Sequence, residues 1–187
     1  ASVSSDSFAS AYEAALRRAE SEGDKIETAE EIQQIYSFAA GDINTEVWFV
    51  ALGSELANNG GIKAFLAEHA PEMRGAVIVN LEALGGGTLS CLEREGDLSQ
   101  AKCSPRMKRF IKKASQASGV QLASASINWK ESPASYAAKH RMQAVSLVGM
   151  DGYAPARYAQ ANDMVENIDS QSVDAAADFV VELLKNI

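Results

Sequence analysis

The chain has 187 residues, 47% of them hydrophobic, and a net charge of −8 at neutral pH. That length accommodates one well-buried core and points to a single domain over residues 1–187. The acidity argues against nucleic acid as a partner, since no basic stripe is available to neutralise phosphates, and no apolar run reaches the ~18–20 residues that span a bilayer.

Residues 5–21 carry Phe8, Tyr12, Ala15, Leu16 and Ala19 at helical spacing, with Ser5 or Asp6 as the N-cap. A second helix opens at "TAEE", where Thr28 and Glu31 make a capping box; Ile32, Ile35, Tyr36 and Ala39 then share a face, and Gly41 ends it. "EVWFVAL", residues 46–52, predicts a strand buried on both sides. Asn58 and Asn59 can cap a helix over about 60–69, and "GAVIVNLE", 75–82, predicts a second buried strand. Residues 85–103 read as a glycine-rich excursion. Ser104-Pro105 opens a helix to about 118, because proline suits the first helical position. "VQLASAS" (120–126) and "AVSLVG" (144–149) predict strands on either side of a helix near 133–141. The tail from Ser170 to Ile187 is an amphipathic helix showing Val173, Ala177, Val180, Leu183 and Leu184. Four strands separated by helices mean βαβ units, and so an α/β fold whose mostly parallel sheet is covered on both faces.

The densest basic run, Lys102 to Lys113, falls on a predicted helix and reads as a solvated face. Cys91 and Cys103 flank the excursion without metal-site spacing; they are either a disulfide or two free thiols. His69 and His140 each close a predicted helix, where the dipole favours a cation, and neither stands at the C-terminal end of a strand. "GGG" at 85–87 lacks the lysine and hydroxyl residue of a phosphate loop, and "GSE" at 53–55 lacks the second glycine of a nucleophile elbow. Trp48 and Trp129 read as core or wall residues; Tyr153 and Tyr158 are the aromatics placed to face a groove.

Chemistry in open α/β sheets gathers at the C-terminal ends of the strands. Two predicted strands end on acids there: 46–52 leads to Glu55, and 75–82 ends at Glu82. Acids leaving adjacent strands ~4.8 Å apart can share a divalent cation, which offsets their repulsion. Each acid could equally cap the following helix or be solvated.

"FVALGSELANNGGIKAFL", "GAVIVNLEALG" and "VSLVGMDGYAPARYAQANDMVENID" resemble, in order and spacing, three successive blocks of the di-zinc aminopeptidases, peptidase family M-twenty-eight. The resemblance covers about residues 24–187, leaving 1–23 as an extra N-terminal helix. It implies a three-layer α/β/α zinc-exopeptidase frame with a mostly parallel or a mixed sheet, here without the family's N-terminal strands. It also implies zinc, hydrolysis of N-terminal residues from peptides by a metal-bound water, and a place outside the cell or in its envelope.

Carried over by position, the resemblance gives Glu55 and Glu82 as metal ligands, Asp24 as a weaker third one residue out of register, and Asp163 as a supporting acid. Ser54 stands where the family has its general base, and a hydroxyl cannot accept a proton at neutral pH without a base of its own. Ala159 stands where the family has its last histidine ligand, and no His-x-Asp signature occurs. The expectation is a peptidase-like domain of little or no activity. The alternative is a non-catalytic module that holds peptides or a partner protein.

Overall fold

Side chains of the segment Gln143–Asp151 point alternately to two sides, and both sides are apolar. Val145 and Leu147 meet one set of helices, while Ala144 and Val148 face the other way, so the strand is buried from Ala144 to Met150. The computed structural model describes residues 45–53 and 57–187, and Thr45–Ile187 form one compact unit. The two helices expected before residue 42 lie outside the described residues.

Helix α1 is Gly60–His69, followed by β1, Val77–Glu82; β2, Thr88–Glu95; and β3, Ala101–Lys102. Next come α2, Pro105–Ser118; β4, Ala123–Ile127; α3, Pro133–Lys139; β5, Gln143–Asp151; and β6, Ala154–Pro155. A 3-10 turn at Val165–Asn167 leads into α4, Ser170–Leu184.

The sheet is mixed, the second of the two arrangements expected for it. β1 runs parallel to β5, β5 antiparallel to β2, and β2 parallel to β4. Ser90 and Cys91 pair with β4 on one edge and β5 on the other; Arg94 and Glu95 pair with β4 and with β3. β3 therefore continues the edge of β2 that β5 leaves. The "excursion" thus contains β2, a strand paired along both edges, followed by the short antiparallel return β3.

Val77 and Val79 of β1 join Cys91, Val145 and Leu147 beneath Met107 and Ala114 of α2 and Phe179 and Leu183 of α4. On the opposite face Ile78 and Ala144 pack with Ile62 and Leu66 of α1 and Ala134 and Ala137 of α3. Arg106, Lys108, Arg109, Lys112 and Lys113 of the basic run lie on the exposed side of α2, opposite Met107 and Ala114, while Lys102 is on β3.

Residues 46–52 do not form the expected buried strand. Phe49 and Val50 are exposed, and no described strand pairs with the segment. Trp48 instead packs edge-on against Phe65 and His69 of α1, and Leu52 joins the cluster beneath α1 and α3. An apolar run secures burial only where a partner surface exists, and here that surface is helical.

Local capping follows the sequence closely at α2. The Ser104 hydroxyl accepts from the Met107 N–H at 3.2 Å, Pro105 follows it, and Gly119 closes the helix in the left-handed region at φ 75°. At α1, Asn59 takes the cap position, but its side chain donates to the Glu131 carbonyl at 2.9 Å instead of capping. The "GGG" after β1 is a packing turn. A Cβ on Gly149 would stand 2.0 Å from the Gly86 carbonyl oxygen and 2.2 Å from that of Ala83, so the turn sits directly on β5.

Candidate functional site

Glu82 ends β1 in register with Val148 of β5, at the rim where the sheet could present chemistry. Lys130, in the loop between β4 and α3, places its ammonium on the Glu82 carboxylate. Both side chains are largely shielded, at 15% exposure for Glu82 and 10% for Lys130. In a pair so enclosed each charge offsets part of the other's desolvation cost, and removing either one leaves a costly buried charge.

The Lys130 ammonium also lies over the Tyr158 ring, 4.7 Å from its centroid. Tyr158 in turn meets Trp129 edge-on at 5.1 Å, and the Trp129 indole N–H donates to the Tyr153 carbonyl at 3.3 Å. Trp129 is 43% exposed and the Tyr153 side chain almost wholly so. The rim beside Glu82 is therefore aromatic. Tyr153 is exposed, Tyr158 packs against Trp129 and Lys130, and Trp129 is a surface residue rather than core.

Behind the rim lies a buried polar network. Glu95, at the end of β2, accepts from the hydroxyls of Ser132, the N-cap of α3, and Ser146, on β5 at 2.8 Å. Asn80 of β1 donates to Ser146 at 3.2 Å, and the two serine hydroxyls are 3.2 Å apart. Ser132 and Ser135 form a reciprocal capping box at the start of α3. Burial, the largest influence, raises the Glu95 pKa; the serine hydrogen bonds lower it, Glu82 raises it, and Lys130 lowers it. Ser132 and Ser146 are buried to 3% and 0% exposure, so both hydroxyls are enclosed by the fold. The network joins three strands and a helix.

Asp24, Ser54 and Glu55 lie outside the described residues. Asp163 stands on an exposed turn, its N–H bonded to the Gln160 carbonyl at 3.2 Å. Ala159 occupies a left-handed turn position at φ 52° and offers no donor atom. His69 ends α1 beside Trp48 and Phe65, and the Nδ1 of His140 lies 2.8 Å from the Tyr136 carbonyl oxygen. With Glu82 engaged by an ammonium and Asp163 out on a turn, the described donors do not fit a zinc centre, and no three His, Cys, Asp or Glu among the described residues group as ligands. The last acid of "ENID", Asp169, is the N-cap of α4: its Oδ1 accepts from the Gln171 N–H at 3.2 Å and its Oδ2 from the Ser172 hydroxyl at 2.6 Å.

Glu95, Lys130, Ser132 and Ser146 escaped sequence reasoning as a group. The readable signal was a lysine just ahead of a Ser-Pro cap. No protein-family model, curated protein or solved structure matches the chain.

Proposed function

We propose that this chain is a non-catalytic peptide-binding module on a peptidase-like frame. The observation that carries this reading is the Lys130 ammonium on Glu82: a fixed protein cation stands against the carboxylate that the resemblance would give to a metal. Helices on both faces of the sheet are compatible with a three-layer zinc-exopeptidase-like frame. The rim of Trp129, Tyr153 and Tyr158 supplies rigid aromatic surface of the kind that grips peptide side chains.

The test pairs zinc titration calorimetry and aminoacyl-anilide hydrolysis with peptide binding followed by tryptophan emission. The expected result is no hydrolysis with added zinc or manganese, and a peptide-induced emission change that disappears in Trp129→Phe, where Trp48 remains. Stoichiometric zinc with turnover lost in Glu82→Gln would restore the metallopeptidase reading. Absence of any peptide-dependent change across a random peptide library would remove the binding module.

A further inference from the structure

A pocket of about 520 Å³ opens where β1 and β5 begin, at the end of these strands opposite Glu82. Leu66, Met73, Tyr136 and Met142 give it apolar lining. Lys63, Arg74, Arg106, His140 and Arg141 give it five basic side chains, and no aspartate or glutamate is among the described residues that line it. The chain as a whole has 25 acidic residues against 17 lysines and arginines, so this gathering runs against its composition.

The helices do not account for these cations. Lys63 stands in the first turn of α1 and Arg106 in the first turn of α2, at the positive ends of the helix dipoles. A carboxylate is favoured there, yet neither first turn carries one. Arg141 follows α3 in the left-handed region at φ 66°, a conformation that glycine or asparagine takes more easily. Among the described residues none of Lys63, Arg74, Arg106 and Arg141 pairs with a carboxylate. The Lys63 ammonium lies over the Tyr136 ring, 5.4 Å from its centroid, and the same ring meets His140 at 4.2 Å. Cations brought from four segments repel one another, and an anion held among them offsets that repulsion.

We infer that this pocket binds a small organic phosphate, with the phosphoryl group among the cations and an apolar body against Leu66, Met73 and Met142. The volume falls within the ~300–1,000 Å³ of small-molecule sites. A phosphate monoester carries nearly two charges and three acceptor oxygens, so it can meet guanidinium groups from more than one side, where a carboxylate offers one charge and two oxygens. The site lies at the other end of β1 from the aromatic rim and does not depend on peptide binding there.

The experiment titrates the full chain with phenyl phosphate, followed by amide resonances in NMR and by calorimetry, with phenol, inorganic phosphate and a short phosphotyrosine peptide as comparison ligands. Phenyl phosphate should saturate one site, shift the amides of Gly75, Arg141 and Met142, and bind more tightly than phenol or inorganic phosphate. Arg74→Gln and Arg106→Gln in one chain should weaken it at least about tenfold, as charge-assisted hydrogen bonds are lost. Lys112→Gln with Lys113→Gln removes the same charge from exposed positions outside the pocket and should change it less than about twofold. Arg141→Gly should weaken binding while keeping the melting temperature, because glycine takes this backbone conformation without strain; a lost ligand contact is thereby told from a lost fold. No saturable binding, phenol or inorganic phosphate held as tightly as phenyl phosphate, tighter binding of the peptide, or equal weakening by the Lys112 and Lys113 changes would each overturn the proposal.

Discussion

Glu95 is a carboxylate surrounded by hydroxyls in a buried site, and its protonation is linked to folding. Burial raises its pKa in the folded chain, so the native state holds the proton at a pH where the unfolded chain has released it. Its contribution is fully present below the unfolded value of about 4.3 and is lost as pH rises through the folded one. Glu95→Gln, a neutral near-isostere, should therefore gain melting temperature relative to the unmodified chain as pH climbs from 4 to 7, measured by calorimetry; a constant offset would deny the linkage. Glu82 and Lys130 form a second residue-scale unit. A double-mutant cycle with Glu82→Gln and Lys130→Met should return a coupling of about 1–3 kcal/mol in urea unfolding, because the two charges meet in a shielded site where their attraction is weakly screened. Additive changes would show that the pair is a solvated contact. Neither partnership was legible in the sequence: Lys130 and Glu82 are 48 residues apart, and Ser146 and Glu95 are 51 apart. What the chain order displayed was the acid at the end of β1, not the cation that meets it.

At the scale of elements, α2 was legible because its signals are local. Ser104 bonds a backbone N–H three residues on, Pro105 has the φ of a first helical turn, and Gly119 accepts the left-handed close. Ser104→Ala should cost about 1 kcal/mol in chemical denaturation, the usual worth of a cap. The strands were harder to read. Residues 46–52 carried a stronger apolar signal than β2, yet β2 is paired along both edges while 46–52 lies against α1. In β2 Ser90 donates to the Thr88 carbonyl of its own strand, Cys91 has apolar cover and Glu95 accepts from Ser146 across the sheet, so the strand's burial does not show as a run of large apolar residues. Gly149 shows the same dependence on neighbours distant in sequence. Gly149→Ala should cost about 2–3 kcal/mol, since the new methyl meets the carbonyls of the turn after β1, which cannot swing aside as a side chain would. A loss below half a kcal/mol would mean that this turn is free to move.

At the scale of the whole described unit, β2 and β5 form its centre: Cys91 and Leu147 pair across them, and helices bury both faces of β5. Such a centre opens only with global unfolding. Amide exchange should thus be slowest at Leu147, Val148 and Cys91, and much faster in residues 46–52; equal protection in that segment would mean that it is paired after all. Length, acidity, helix caps and the α/β alternation were determined by the sequence alone, because each depends on composition or on residues within a turn of one another. Strand order, the mixed direction of the sheet, the Lys130–Glu82 pair and the Glu95 network were decided only by the tertiary structure. Their partners are brought together across dozens of residues by burial of the faces between them, and no local hydrogen bond or periodic pattern encodes which edge or which charge will be met.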